Sequence, residues 1–255
     1  MTFPDIDIGD AVLLARIIKV SKNTVFFGGA GVSTESNIPD FRSGSGLYTA
    51  KRVYGHDPEE LLSRTFFERN PALFFRYYKE NLICTGAKPN VAHIVLAKLE
   101  QINMLSAVIT QNIDGLHQVA GSKNVIELHG SNRTQYCITC GKKYTLDYVL
   151  SAENCDGPVP KCNVCNGLVR PDIVLYEEQL NKDIMNLAIK TIVAADCLIV
   201  GGTSLVVYPA AGLLQYFRGT HLVLINKDKT LYDDRADMVI HDSIGKILSE
   251  TIEHL

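Results

Sequence analysis

Two pairs of cysteines have the spacing of metal ligands. Cys137 and Cys140 form one C-x-x-C pair, and Cys162 and Cys165 form a second, with residues 141–161 between them. Four thiolates at this spacing complete a tetrahedral zinc shell and leave no position for water or substrate. We therefore expect one structural zinc ion that takes no part in the chemistry. The alternative is four unrelated core cysteines.

A glycine-rich loop, residues 28–46, follows the apolar run TVFF and resembles a dinucleotide-binding loop. The general pattern is a strand, G-x-G-x-x-G and a helix, with an acidic residue about 20 positions further on. Gly29 and Gly31 fit this pattern, but Thr34 stands in place of the third glycine and Lys51 in place of the acidic residue. The loop predicts nucleotide binding and leaves the type of chemistry open.

Polar side chains also follow two further apolar runs. The segment TQNIDGLH, residues 110–117, follows one run, and His129 follows the other. Each signal is weak alone, because a lone histidine is more often structural than catalytic, and Asn112 or Asp114 can simply cap a helix. Parallel strands end at one edge of a sheet, where α/β folds bind ligands. We therefore expect these polar groups and the glycine-rich loop to line one site.

The elements that must position these residues are short strands alternating with helices. Six apolar runs rich in β-branched residues predict buried parallel strands at 24–27, 105–110, 125–128, 197–200, 221–225 and 238–240. Helical spacing lies between several of them, for example over residues 10–20 and 91–102. The alternation predicts an α/β fold, a Rossmann-like doubly wound parallel sheet.

Two segments interrupt this alternation. Residues 37–88 combine glycine-rich and helical pieces, and residues 132–169 contain the cysteine pairs. We expect them to form together a smaller inserted domain, with a helical, flexible-loop module and a zinc-ribbon module. Residues 1–36, 89–131 and 170–255 are then the Rossmann-like nucleotide-binding domain, and the ligand cleft lies between the two domains.

Composition and charge disfavour several classes of protein. The 255 residues are 46% hydrophobic and 21% charged, which is typical of a globular protein. A net charge of -3 gives no electrostatic case for binding nucleic acid or an anionic membrane. The N-terminus lacks the features of a secretory signal, and no apolar run is long enough to span a membrane. We expect a cytoplasmic protein with no membrane or direct nucleic-acid partner.

Five motifs, in order, resemble those of the sirtuins, the NAD-dependent protein-lysine deacylases, of bacterial or archaeal type. They are GAGVSTESNIPDFR, TQNIDGLH, LHG, the two C-x-x-C pairs and GTSLVVYPAA, and the resemblance runs from about Val12 to Ile252. It implies an enzyme that consumes NAD to deacetylate lysine. Nicotinamide leaves the ribose, the acyl-lysine carbonyl oxygen attacks the same sugar carbon, and water finally yields free lysine and O-acetyl-ADP-ribose.

The resemblance also assigns roles to residues of this chain. His129 is expected to deprotonate a ribose hydroxyl, which suits the ordinary histidine pKa of about 6.5. Asn112 and Asp114, with Ile113 between them, are expected to hold the nicotinamide end, and Phe41 to shield the reactive sugar carbon. The remaining expected NAD contacts are Gly29, Ala30, Gly31, Thr34, Asp40, Arg42, Gln111, Gly202, Thr203, Ser204, Asn226, Asp242, Ser243 and Ile244.

An acetyl-lysine peptide, by the same resemblance, adds as a strand between two enzyme segments. These are Val174–Glu178 and Val206–Tyr208. The residues expected to contact the peptide are Val174, Tyr176, Glu177, Val206 and Tyr208.

Several positions depart from the common sirtuin pattern, among them Tyr176, which replaces phenylalanine, and Gly28, which replaces threonine. Glu177 stands where many members have glycine, so we expect a carboxylate beside the peptide and a preference for basic flanking residues. Asn37 also replaces a glycine, but asparagine tolerates the left-handed backbone well. The Tyr-x-x-Arg pair of sirtuins that prefer acidic acyl groups is missing, because Lys51 follows Tyr48 at that spacing. Deacetylation is therefore favoured over desuccinylation.

Three alternative functions stay open at this point. A mono-ADP-ribosyltransferase shares the nicotinamide-leaving step, but it has no need of a ribose-hydroxyl base such as His129. An NAD-dependent dehydrogenase is disfavoured by Lys51 at the expected acidic position. A nucleic-acid-binding zinc protein is disfavoured because the cysteine segment carries only a short basic stretch.

Overall fold

The structure is a computed structural model that describes residues 9–39 and 50–255. Its strands, numbered along the chain, are β1 Thr24–Gly28, β2 Ala107–Thr110, β3 Val125–Glu127, β4 Gly130–Cys137, β5 Lys143–Thr145, β6 Cys155–Asp156, β7 Val159–Pro160, β8 Val169–Ile173, β9 Cys197–Gly201, β10 His221–Ile225 and β11 Met238–Ile240.

The larger sheet has six parallel strands in the order β11-β10-β9-β1-β2-β3. All six apolar runs that predict strands form them, so that prediction is confirmed. The runs read as continuous apolar stretches because strands such as β1 are buried on both faces.

Alternate residues of β1 enter two separate cores, one on each face of the sheet. Phe26 packs in the core that holds Leu14 and Leu96. Val25 and Phe27 point the other way and pack in the core that holds Ile192. Helices therefore cover both faces, as the doubly wound α/β fold expected from the sequence requires.

The α-helices of the described residues, apart from helical residues 50–54, are Asp10–Val20, Pro58–Leu61, Arg64–Arg69, Pro71–Tyr77, Val91–Gln101, Leu116–Ala120, Leu146–Leu150, Lys182–Ala194 and Ile244–Ile252. A π-helix, Tyr78–Leu82, continues from Pro71–Tyr77. Within the two described ranges, no helix is both long enough and apolar enough to cross a membrane.

A smaller domain is built from both segments that interrupt the sheet. The antiparallel strands β5-β4-β8 form its three-stranded sheet, and β6 and β7 form a short hairpin. Its core joins Phe74 and Tyr78 from the helical segment to Cys137, Cys162 and Val169 from the cysteine segment. The fold is thus a Rossmann-like sheet with a smaller inserted domain, as the sequence indicates.

The proposed domain boundaries after residues 131 and 169 fall inside β4 and β8. These two strands pair with each other and with no strand of the larger sheet among the described residues. We therefore propose that the smaller domain includes β4 and β8 entire.

The same two strands connect the cysteine pairs with the predicted site. β4 begins directly after His129 and ends at Cys137, and β8 leads into Val174. Val174 N–H donates to His129 O at 2.9 Å, which fixes the ladder at its site end. Gly130 takes a left-handed φ of 76°, and a Cβ there would collide with Asp172 O, so this position requires glycine.

Candidate functional site

The carboxyl ends of the parallel strands lie at one edge of the larger sheet. Gly28, at the end of β1, pairs with Thr110 and with Gly201. Ile225 pairs with Gly201 and with Ile240. The polar segments that follow these strands therefore lie side by side, as the sequence analysis expects.

Two of these segments pack closely against each other at their glycines. Gly31 N–H donates to Gly202 O at 2.8 Å, and a Cβ on Gly31 would lie 2.8 Å from Gly202 Cα. A Cβ on Gly29 would lie 2.8 Å from Thr203 Cβ. The glycines are needed for this contact, and a nucleotide can approach the backbone closely here. This geometry fits the dinucleotide expected from the sequence.

Ser33 joins the two predicted polar residues Asn112 and Asp114. Its hydroxyl donates to Asp114 Oδ2 at 2.7 Å and accepts from Asn112 Nδ2 at 3.1 Å. Asn112 Nδ2 also donates to Gly29 O at 3.0 Å. Nothing local in the sequence marks Ser33, because its role depends on a residue about 80 positions away.

Asp114 also has the structural role that the sequence left open. Its Oδ1 accepts from Leu116 N–H at 2.8 Å, at the start of the helix Leu116–Ala120. The capping role and a place in the cleft are therefore compatible, since the second carboxylate oxygen is the one bonded to Ser33.

His129 is oriented by the main chain of the neighbouring strand end. Its Nδ1 lies 2.8 Å from Gln111 O, and because a carbonyl oxygen only accepts, Nδ1 carries the proton. In the neutral ring Nε2 is then unprotonated, which is the form that a general base needs. Gln111 in turn donates from Nε2 to Thr203 Oγ1 at 3.0 Å, so it connects two strand-end segments.

Two other histidines lie behind this cluster, in the core. The rings of His93 and His117 have centroids 4.7 Å apart. Burial, followed by the neighbouring His93, lowers the pKa of His117 to about 3. Burial also lowers the pKa of His93, although Asp114 and Glu35 oppose it. Both are neutral core histidines, and among the described residues His129 is the histidine that reaches the cleft.

A cavity of about 330 Å³ lies along the strand edge. Its lining brings together many residues singled out from the sequence: Ala30, Gln111, Asn112, Ile113, Asp114, His129, Val174, Tyr176, Glu177 and Tyr208. Asp40, Phe41 and Arg42 lie outside the described residues. Thr34 is exposed, and its hydroxyl donates to Gly31 O at 3.0 Å. Ser204 and Val206 are also exposed beside the cavity-lining segment.

The predicted adenine contacts lie further along the same edge, outside the cavity. Asn226 N–H donates to Ile240 O at 3.0 Å, which holds it next to β11. Asp242 Oδ2 lies 2.6 Å from Lys246 Nζ, and the Ser243 hydroxyl donates a hydrogen bond to the Glu35 carboxylate. Ile244 is buried in the core, so only its main chain is available at the edge.

The first segment expected to pair with a peptide is held by the helical part of the smaller domain. Tyr176 N–H donates to Leu62 O, and Arg64 N–H donates to Tyr176 O, both at 3.0 Å. Glu177 has a left-handed φ of 73°, and its carboxylate accepts two hydrogen bonds from Thr65. The carboxylate that the sequence analysis places beside a peptide thus has a partner within the protein.

A buried ion pair fixes the end of this segment. Arg170 bonds Glu178 through both guanidinium Nη atoms, at 2.6 and 3.0 Å. Its guanidinium lies over the rings of Phe67 and Tyr136. Glu178 also accepts from Leu175 N–H at 2.9 Å. The sequence does not predict this pair, because nothing local marks a charged pair as buried.

Glu178→Gln is expected to lower the free energy of unfolding by about 1–3 kcal/mol at pH 7, because Arg170 is left buried with an incomplete partner. Burial raises the pKa of Glu178, but hydrogen bonds from Arg170 and Leu175 N–H lower it below its usual value overall. The pair therefore stabilises the fold above the unfolded pKa of about 4.3 and loses this effect as the pH falls through the lower folded value. Urea unfolding at pH 7 and pH 3 measures both effects.

The difference between the wild type and Glu178→Gln should shrink at pH 3. Glu68→Gln is the matched control, because Glu68 makes an exposed ion pair with Arg64, and it should change stability by less than about 0.5 kcal/mol. Equal losses of unfolding free energy in the two variants at pH 7 would show that the Arg170–Glu178 pair stabilises the fold no more than an exposed pair does.

The four cysteines predicted as metal ligands come together. Their Sγ atoms all lie within 4.8 Å of one another, with Cys137 to Cys165 at 3.5 Å and Cys140 to Cys162 at 3.6 Å. Zinc with four Zn–S bonds of about 2.3 Å places the sulfurs about 3.8 Å apart. The cluster is therefore positioned to bind one metal ion, and none of its cysteines lines the cavity.

The chain is similar to known proteins over most of its length. The model of the Sir2 family matches residues 29–209. An NAD-dependent protein deacetylase of Clostridium acetobutylicum is 57% identical over 239 residues, which are 94% of this chain and 96% of that protein. One of Clostridium tetani is 57% identical over 242 residues, 95% of this chain and 97% of that protein.

The fold also superposes on solved structures. A Sir2 structure with a p53 peptide and NAD+ gives a TM-score of 0.84 at 40% identity, covering 94% of this chain and 96% of the other. A Sir2 structure with a propionylated peptide gives a TM-score of 0.85 at 40% identity, covering 96% of this chain and 98% of the other.

Proposed function

The chain belongs to the Sir2 family, and from this membership we propose that it is an NAD-dependent protein-lysine deacetylase with His129 as its general base. Its products are nicotinamide, the deacetylated lysine and O-acetyl-ADP-ribose. The observation that carries the proposal is one cavity lined by Asn112, Asp114 and His129 together with the segment Val174–Glu178. The proposed base, the proposed orienting groups and the proposed peptide segment therefore line one space.

NAD, when bound, supplies the ribose carbon whose bond to nicotinamide is broken. The main-chain contact between Gly31 and Gly202 suits the phosphate and ribose part. We assign the nicotinamide end to Asn112 and Asp114. Both protons of Asn112 Nδ2 are donated within the protein, so its Oδ1 is the atom that accepts from a carboxamide. Because Ser33 already fixes both side chains, they orient the ligand without rearranging.

His129 then removes a proton from a ribose hydroxyl through Nε2. The hydrogen bond from Nδ1 to Gln111 O sets the tautomer and the direction of the ring. This bond also stabilises the imidazolium that forms when Nε2 takes the proton. A positioned histidine is therefore available on the side of the cavity where Val174 contacts His129 O.

Much of the wall of the cavity is apolar. Its apolar side chains include Ile38, Leu62, Leu82, Ile113, Ile173, Leu175 and Leu180. An apolar wall suits the departure of nicotinamide as a neutral molecule. It also favours attack on the sugar carbon by the lysine acyl oxygen over attack by water.

Cys137, Cys140, Cys162 and Cys165 would hold a zinc ion, which would supply structural stability to the smaller domain. We also propose that the protein acts in the cytoplasm, because thiolate ligands need reduced cysteines. Its partner is an acetyl-lysine protein, and a net charge of -3 supports no direct nucleic-acid partner. Cell fractionation followed by immunoblotting tests the location.

Incubation with NAD and an acetyl-lysine peptide, followed by mass spectrometry, tests the activity. We expect nicotinamide, free peptide lysine and O-acetyl-ADP-ribose in equal amounts. A peptide heavier by ADP-ribose would favour mono-ADP-ribosyl transfer, and NADH would favour a dehydrogenase. An acetylated peptide recovered unchanged with NAD intact would contradict the proposal outright.

A further inference from the structure

We propose that Glu177 is a positioning residue for the acetyl-lysine peptide, acting through its tether to Thr65. The inference rests on the proposed function, since it concerns the segment Val174–Glu178 in the peptide site. It gives a role to the Glu177 side chain, at a position where many sirtuins have glycine and so have no side chain.

The tether consists of two hydrogen bonds to one carboxylate oxygen. Glu177 Oε2 accepts from Thr65 N–H at 2.9 Å and from Thr65 Oγ1 at 2.7 Å. Thr65 lies in the first turn of the helix Arg64–Arg69. The two hydrogen bonds from Thr65, together with Arg69 and Arg64, outweigh burial and keep the pKa of Glu177 below its usual value. The carboxylate is thus a charged acceptor bound within the protein.

The backbone of Glu177 is the part that the tether controls. Its φ of 73° lies in the left-handed region, which residues other than glycine seldom adopt. The flanking residues are already bound: Tyr176 pairs with Leu62 and Arg64, and Glu178 with Arg170. Among the described residues, Glu177's own N–H and C=O make no hydrogen bond. They are available for strand addition, and Glu177 lines the cavity.

The side chain therefore compensates for the missing glycine. Glycine reaches the left-handed region at no steric cost but moves freely, whereas the hydrogen bonds from Thr65 to its carboxylate hold Glu177 there. The tether also joins the peptide segment to the helix Arg64–Arg69. The partner that recognises this edge is an extended peptide with open main-chain groups, and its affinity depends on how firmly Glu177 is held.

Peptide binding without NAD, measured by calorimetry on the full chain, tests the proposal. Glu177→Ala should raise the peptide Kd about tenfold, the loss of about one hydrogen bond to a charged group. Glu177→Gln keeps an acceptor for Thr65 and should stay within about threefold of the wild type. Thr65→Val removes only the hydroxyl donor and should fall between the two. Glu253→Ala, an exposed glutamate in the last turn of the chain, is the charge-matched control and should bind as the wild type does.

Steady-state kinetics separate positioning from general damage. Glu177→Ala should raise the KM for the peptide by the same factor, with the KM for NAD and kcat unchanged. An unchanged peptide Kd in Glu177→Ala would overturn the inference, and so would an effect confined to peptides with basic flanks, which would indicate direct charge recognition. A wild type that neither binds nor deacetylates the peptide would instead refute the proposed function, so the two failures are distinguishable.

Discussion

His129→Ala is expected to reduce deacetylation by on the order of 10²–10⁴-fold, the usual contribution of a general base. The reason is geometric. Nδ1 is committed to Gln111 O, so Nε2 is the nitrogen that takes the ribose proton, and alanine offers no replacement. The fold should survive, because His129 is only half-buried at the edge of the cavity. Product formation by mass spectrometry gives the rate, and circular dichroism checks the fold.

His221→Ala is the matched control for this experiment. His221 begins β10 and pairs with Cys197 at the opposite, amino end of the larger sheet. It should therefore leave deacetylation unchanged within about twofold, as expected of a surface substitution away from the site. Full activity in His129→Ala would remove the histidine from the proposed mechanism, whereas equal losses in both variants would indicate a defect of folding.

Cys162→Ala is expected to abolish zinc binding and to unfold the smaller domain. Structural zinc sites contribute about 10–16 kcal/mol of binding energy in model peptides, which equals or exceeds the stability of a typical domain. Metal content by mass spectrometry should fall from one zinc per chain to none. Hydrogen exchange should rise in β4 and β8 first, because β4 ends at Cys137 and β8 follows Cys165 closely.

Cys155→Ala is the control, because Cys155 also lies half-buried in the smaller domain but outside the four-cysteine cluster. It should keep one zinc and wild-type exchange. A metal-free Cys162→Ala protein with unchanged exchange in β4 and β8 would contradict the structural role of the metal. Loss of deacetylation should accompany unfolding, since β4 starts beside His129 and β8 leads to Val174.

The sequence predicts the parts of the fold that have a local signal. Strands such as β9 are continuous apolar runs because both faces are buried, and the cysteine spacing reflects a turn closed by the ligands themselves. β4 has no such run. Its sequence GSNRTQYC is mostly polar, and it forms a strand because β5 and β8 pair with its two edges. The pairing of β4 with β8 joins residues about 30–45 positions apart, so no local pattern reports it.

The candidate site divides in the same way. Residues that directly follow strands, such as Asn112 and His129, are predicted because the strand ends place them. Ser33 and Thr65 are missed because each acts on a residue from a distant part of the chain, Asp114 and Glu177 respectively. Charged pairs such as Arg170 with Glu178 are missed because burial is a property of the tertiary fold.

The strand order has a consequence for how the protein is made. β1 is synthesised first, yet it lies in the middle of the larger sheet, between β2 and β9. All five of its residues are buried in the finished fold. During synthesis the edge of β1 that pairs with β9 stays unpaired until residue 201 has left the ribosome. Chains cut short before β9 expose an apolar strand edge, a template for aggregation. Such fragments should accumulate as insoluble material, and they also lack the contact of Gly31 with Gly202.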